Sequence, residues 1–195
     1  VQGGYTQPFG EITDGNNIHD IVEAGGAVGL ALGVRFTPQW SLEAYGQFHE
    51  SSAGDSIEGT GTDVRGATAG LQSTFHMMPH GTVDPHLSLG TGYRGLWLKP
   101  EGRSMQGWHG LQIAKLLFGV DFRVSDDVAI GPQIGADVNV FLTEDAPGFN
   151  RPQELDQRRP TFYLHGGLGG RFDIGGDRVA QTRRVARIYT QRATP

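Results

Sequence analysis

Seven histidines and a few acid–base pairs set the chemistry this chain has to offer. His76, His80 and His86 crowd one short connection, and a divalent metal bridging them is the first chemistry to consider. No Cys accompanies them, no Glu lies near, and their spacing fits no regular ligand pattern. A solvated turn accounts for the same three residues. In His86-Leu87-Ser88 a His and a Ser stand two apart, so on a strand they share one face and can in principle share a proton. Gly90-Thr91-Gly92-Tyr93-Arg94-Gly95 matches the G-x-G-x-x-G dinucleotide fingerprint, which needs a strand before it and a helix after it. Glu43, Asp137 and His165 are a further acid–base set, although a structural salt-bridge network uses the same residues. The residues therefore give no catalytic, cofactor-binding or metal assignment, and the chain reads as a non-enzyme.

The elements that position these groups are strands. From Trp40 to Glu50 the even positions are Trp40, Leu42, Ala44, Gly46 and Phe48, and the odd ones are Ser41, Glu43, Tyr45, Gln47 and His49. One face is greasy and the other polar, with the period of a strand. The same division runs through Ala27–Phe36, Arg65–His76, His86–Leu98, Ala114–Arg123, Val128–Leu142 and Phe162–Asp173. Ordinary strands average about five to six residues. These are longer, and tilted strands of about nine to eleven residues cross a bilayer. The G-x-G-x-x-G match falls inside one of them, with no helix to follow it.

The connections alternate in length. Thr37–Gln39 and Val124–Asp127 are tight, and Met77–Asp84 is intermediate. Ser51–Asp63, Lys99–Gly107 and Thr143–Pro160 are long and rich in Gly, Asp, Glu, Pro and Ser. Extending the rule backwards predicts a first strand within Val1–Phe9 and a long loop over Gly10–Gly25, where Ile18, Ile21 and Val22 fit a short helical turn. That loop and the segment Gly148-Phe149-Asn150-Arg151-Pro152 carry apolar residues that either pack on a rim or meet a partner. The pattern predicts an all-β fold, an eight-stranded antiparallel transmembrane β-barrel with short turns on one rim and long loops on the other.

In that arrangement apolar faces look outward and polar faces inward. The predicted lumen carries Arg35, Arg94, Lys115, Arg123 and Arg171 against Glu43, Asp121, Asp137 and Asp173, with His49 and His165 among them. Five positive charges against four negative ones nearly cancel, so they can pair and plug a bore that holds only side chains. Phe36, Trp40, Phe75 and Phe122 sit beside short turns, and Trp97 and Phe162 beside long loops, as two interface girdles require. Phe172 ends the last strand. In a soluble barrel the same charges would cover the outer surface, but the polar faces are too rich in Gly for that.

Composition excludes several classes. The absence of Cys among 195 residues removes disulfide scaffolds and Cys-ligated clusters. The longest uncharged apolar stretch, Ala24 to Val34, is eleven residues with four Gly, too short for a membrane helix. A formal charge of −5 argues against nucleic acid as a partner. Residues 1–174 form the barrel unit. Residues 175–195 are a basic tail, where Arg178, Arg183, Arg184, Arg187 and Arg192 stand against Asp177.

Two runs carry a family resemblance. Gly29-Leu30-Ala31-Leu32-Gly33-Val34-Arg35-Phe36-Thr37-Pro38-Gln39-Trp40-Ser41-Leu42-Glu43 resembles the strand, tight turn and strand of small OmpA/OmpX-like outer-membrane barrels of Gram-negative bacteria. Gly166-Gly167-Leu168-Gly169-Gly170-Arg171-Phe172 resembles their closing strand, which ends in an aromatic residue. The chain departs from that group by continuing some twenty residues past Phe172. The resemblance implies the outer membrane, with long loops outside the cell and short turns in the periplasm. His86-Leu87-Ser88 also resembles the His-x-Ser element of the outer-membrane lipid A deacylases, but parity turns this pair inward rather than toward lipid. The expected role is structural or interactive. Its partners would be outer-membrane lipid, peptidoglycan or other periplasmic anions on the basic tail, and copies of itself. The alternatives are a narrow pore or small-solute transporter, a lipid-modifying enzyme, and a soluble ligand-binding barrel.

Overall fold

Alternating burial translates the period-two pattern into a tube. Along the strand Trp40–Ala53, Ser41, Tyr45, His49 and Ser51 are buried while Trp40, Leu42 and Phe48 are exposed. The computed structural model describes residues 1–54, 63–99, 105–145 and 151–174. Among these, eight long strands follow one another: β1 (Gln2–Thr13), β2 (Val22–Arg35), β3 (Trp40–Ala53), β4 (Asp63–His76), β5 (Val83–Lys99), β6 (Gln106–Arg123), β7 (Val128–Asp145) and β8 (Pro160–Phe172). Each pairs antiparallel with its neighbour in sequence, and β8 pairs back onto β1 from Gln2↔Gly169 to Gly10↔Thr161. That last ladder closes the ring, so no strand edge is left to face lipid. At this seam glycine is required: a β-carbon on Gly4 would stand 2.2 Å from the Gly166 carbonyl oxygen.

The polarity of the tube is inverted relative to a soluble barrel. Leu30, Leu32, Val34, Leu71, Leu89, Leu116, Ile134 and Leu168 all point outward and are exposed. Lys115, Arg94, Asp137, Asn139 and Gln112 are almost wholly buried. The soluble-barrel alternative required the reverse. The short turns join β2–β3, β4–β5 and β6–β7 on one rim, where Phe36 N–H bonds the Trp40 carbonyl and Val124 N–H bonds the Val128 carbonyl.

Several boundaries differ from the sequence expectation. β1 runs to Thr13 rather than ending at Phe9, and β2 starts at Val22 rather than Ala27. Between them lie a two-residue strand at Asn16–Asn17 and a 3-10 turn at Ile18–Asp20, the short helical turn expected from Ile18, Ile21 and Val22. β6 begins at Gln106, eight residues before Ala114. The reason is a bulge: the pairing with β7 shifts between Gln112 and Ala114, so Ile113 and Ala114 both face outward. Period two breaks there, and the inward set changes from Trp108, Gly110 and Gln112 to Lys115, Leu117 and Asp121. The tail 175–195 and Gly148, Phe149 and Asn150 lie outside the described residues.

Candidate functional site

The lumen is stratified, and the layer at the short-turn rim is ionic. His76 on β4 and His86 on β5 are directly opposed, with ring centroids 5.6 Å apart, while His80 stays exposed on the turn. His76 Nδ1 lies 2.9 Å from Asp84 Oδ2, and Arg35 Nη2 lies 3.0 Å from His76 Nε2. Arg171 Nη1 lies 3.1 Å from His76 Nδ1, so both ring nitrogens face an arginine, which can only donate. Arg171 from β8 reaches across the bore. Its Nη1 lies 2.5 Å from Asp121 Oδ2 and 3.5 Å from Asp84 Oδ2, and its Nε is 3.3 Å from Asp173 Oδ2. Asp173 also lies 3.8 Å from Arg35. Seven groups from five strands and the segment after β8 thus form one network.

A second polar layer follows. Glu43 Oε1 accepts from Ser41 Oγ and Glu43 Oε2 from Gln72 Nε2, each at 2.7 Å. Lys115 Nζ sits 3.9 Å above the Tyr45 ring, and the Tyr45 hydroxyl donates to Gln112. Deeper toward the loops, Arg94 Nη1 lies 3.7 Å from Asp137 Oδ2, and its guanidinium stacks 3.4 Å from the Tyr163 ring centre. His165 Nδ1 lies 3.8 Å from the same carboxylate. A cleft of about 290 Å³ reaches into these layers from the short-turn end, lined by Glu43, Tyr45, Gln72, His86, Lys115 and Asp121 among others.

The third layer is apolar and closes the loop end. Ile12, Ile18, Val22, Val64, Leu96, Leu98, Trp108, Phe141 and Tyr163 form one buried cluster, with Ile21, Ala53 and Leu155 packed against it. The first loop therefore turns its apolar residues into the barrel mouth. Parity carried part of this signal, since Leu96 and Leu98 share the face of Arg94. The rest was hidden by the bulge in β6 and by the inward turn of the loop.

The expected lumen charges mostly converge here, with differences. Arg123 departs from the ionic set: its guanidinium donates to the carbonyls of Asp126 and Pro79 at the rim, each at 3.2 Å. Glu43 does not join Asp137 and His165, since its bonds go to Ser41, Gln72 and Thr74. Ser88 turns inward with His86, and its hydroxyl bonds to Thr74 at 2.8 Å rather than to the imidazole. Gly90 to Gly95 lie within β5, which stays a strand to Lys99, so no helix opens at these glycines.

The aromatic residues outline both rims. Trp40 packs on Phe75 at 4.9 Å between ring centres, and Phe36, Phe122 and Phe172 are exposed near the same rim. On the loop side Phe162 is exposed and pairs with Phe9 in the ladder. Trp97 is half-buried, its ring laid over Gly95 and beside Gly107.

No protein-family model matches the sequence, and no curated protein matches it. Solved structures do match the fold. Neisserial surface protein A is 13% identical, over 88% of this chain and 94% of its own, with a TM-score of 0.53. The outer membrane protein OprG from Pseudomonas aeruginosa is 14% identical, over 89% and 94%, with a TM-score of 0.52. The fold is that of the small outer-membrane β-barrels. Its outward apolar belt is the face that such a barrel turns to lipid. Identities this low carry the architecture and none of the binding properties.

Proposed function

We propose that this chain is a closed barrel with a structural or interactive role in the cell envelope, neither an open channel nor an enzyme. The observation behind the reading is a bore crossed by an ionic layer at the short-turn end, which a cleft enters, and filled by an apolar cluster at the loop end. Arg171 crosses the ionic layer and ties β8 to Asp84 and Asp121 on β5 and β6. Ile18 and Val22 form part of the apolar cluster, wholly buried. Such a barrel presents its long connections at one rim and ends its last strand at the other. The tail is suited to peptidoglycan or other periplasmic anions, and the loops to a partner or to further copies of the chain.

Planar-bilayer recording tests the closed state. The reconstituted chain is expected to give no unitary current steps. Reproducible steps scaling with salt concentration would establish the narrow-pore reading in its place. Unaltered lipid A after overexpression is the expected outcome for a non-enzyme, and a changed acylation pattern would overturn that part.

A further inference from the structure

The strand ladder gathers a donor set that the closed-barrel reading does not use. His76, His86 and Asp121, from β4, β5 and β6, each offer one ligand atom, and these atoms all lie within 4.8 Å of one another. His76 faces His86 directly, and His86 faces Gly119, two residues before Asp121. His86 Nδ1 stands 3.7 Å from Asp121 Oδ2. Two donors on one tetrahedral zinc, with bonds of about 2.0–2.2 Å, lie roughly 3.4 Å apart. His86 is nine-tenths buried, and its Nδ1 has no hydrogen-bond partner among the described residues.

A second observation points to a cation. Two members of the set already face one: Arg171 Nη1 is 2.5 Å from Asp121 Oδ2 and 3.1 Å from His76 Nδ1, and it is 3.5 Å from the adjoining Asp84 Oδ2. These donors already select positive charge. Arg171 is also partly exposed at the cleft mouth, with its Nε 3.3 Å from Asp173 Oδ2. Its guanidinium has a carboxylate to retreat to.

We infer that His76, His86 and Asp121 form a binding site for a divalent transition-metal ion of the zinc class, entered from the short-turn side, with Arg171 as the built-in cation that the metal displaces. Two imidazoles and a carboxylate favour such an ion over magnesium or calcium, which take oxygen donors. Ligation through His76 Nδ1 requires the ring proton on Nε2. Arg35 then turns from that nitrogen to Asp173, 3.8 Å away. Asp84, whose Oδ2 lies 2.9 Å from His76 Nδ1, is placed to become the fourth donor. The sequence raised His76 and His86 together with His80, but the third donor, Asp121, comes from another strand and His80 is not in the set.

The test is titration of the full refolded chain in detergent with Co²⁺, followed by its visible d–d absorption, and then displacement by Zn²⁺. One metal ion per chain is expected. His86→Gln should weaken binding at least about tenfold, and Arg171→Met should strengthen it about tenfold, because no guanidinium then competes for the donors. His80→Gln should bind as the unaltered chain does. Heat-modifiable migration on a denaturing gel checks that each variant is folded, and His86→Gln leaves the Arg171 contacts to Asp84 and Asp121 in place. Absence of saturable one-to-one binding, or unchanged affinity in His86→Gln, overturns the site. Unchanged affinity in a folded Arg171→Met overturns the exchange.

Discussion

The imidazole of His49 fills the space above Gly66 on the neighbouring strand: a β-carbon there would stand 1.8 Å from His49 Cε1. The two residues are directly opposed in the β3–β4 ladder. The arrangement recurs at His86 over Gly119 and at His165 against Gly135, each again an opposed pair. Three inward rings thus each depend on a missing side chain. Glycine on the polar faces is the room that a narrow lumen gives its imidazoles.

Gly66→Ala is the direct test. The ring of His49 has to move within a packed layer, and overpacking of this kind costs typically about 1–3 kcal/mol. Urea unfolding in detergent is expected to show that loss. Combining it with His49→Ala should recover part of the loss, and an additive double variant would show that the ring and the glycine are not coupled.

The outward belt makes a second prediction. Ile134 is exposed on β7, well away from both rims. Ile134→Arg should lower folding stability in lipid vesicles by about 2–4 kcal/mol, the scale for a cationic side chain at the bilayer midplane. Ser125→Arg, on the turn between β6 and β7, should change it little. Equal effects at the two sites would remove the belt.

How far this architecture could be read from the chain depends on what broke the period. β3, β7 and β8 are legible because Leu42, Ile134 and Leu164 alternate strictly with Glu43, Gly135 and His165. The first half of β6 is not, because the bulge places Ile113 and Ala114 on one side. The ionic layer was legible as a face but not as a network. Nothing local to Arg171 says that it spans the bore to Asp121. The apolar stop was the least legible, since it needs Ile18 from the first loop and Val22 at the start of β2 to join one cluster with Phe141 of β7.

That apolar stop gives a third prediction. Ile18 and Val22 are wholly buried at the barrel mouth. Ile18→Ala together with Val22→Ala removes much of the first loop's apolar contact, and truncations of this kind cost about 1–5 kcal/mol each where packing cannot collapse. The loop should loosen while the ladders persist. Limited proteolysis is expected to cut within residues 13–22 in the double variant and not in the parent, with heat-modifiable migration retained in both. Loss of that migration would mean that the loop supports the barrel itself.

Arg94 and Asp137 supply the last test. Both are nearly inaccessible and lie 3.7 Å apart, with Tyr163 under the guanidinium. Removing one member of such a pair leaves an uncompensated charge, a loss of about 3–5 kcal/mol. Asp137→Leu should therefore be strongly destabilising, whereas Asp137→Leu combined with Arg94→Met should be much closer to the parent, because the desolvation cost of both ions disappears together. The cycle is read from urea midpoints in detergent, with the slope checked to be constant. His165 adds a control: it lies 3.8 Å from the same carboxylate, so His165→Phe should soften the effect of Asp137→Leu only slightly if Arg94 is the principal counter-charge. Equal destabilisation of the single and double variants would show that the pair does not act as a unit, and the mid-lumen would then be held by packing on Tyr163 rather than by charge.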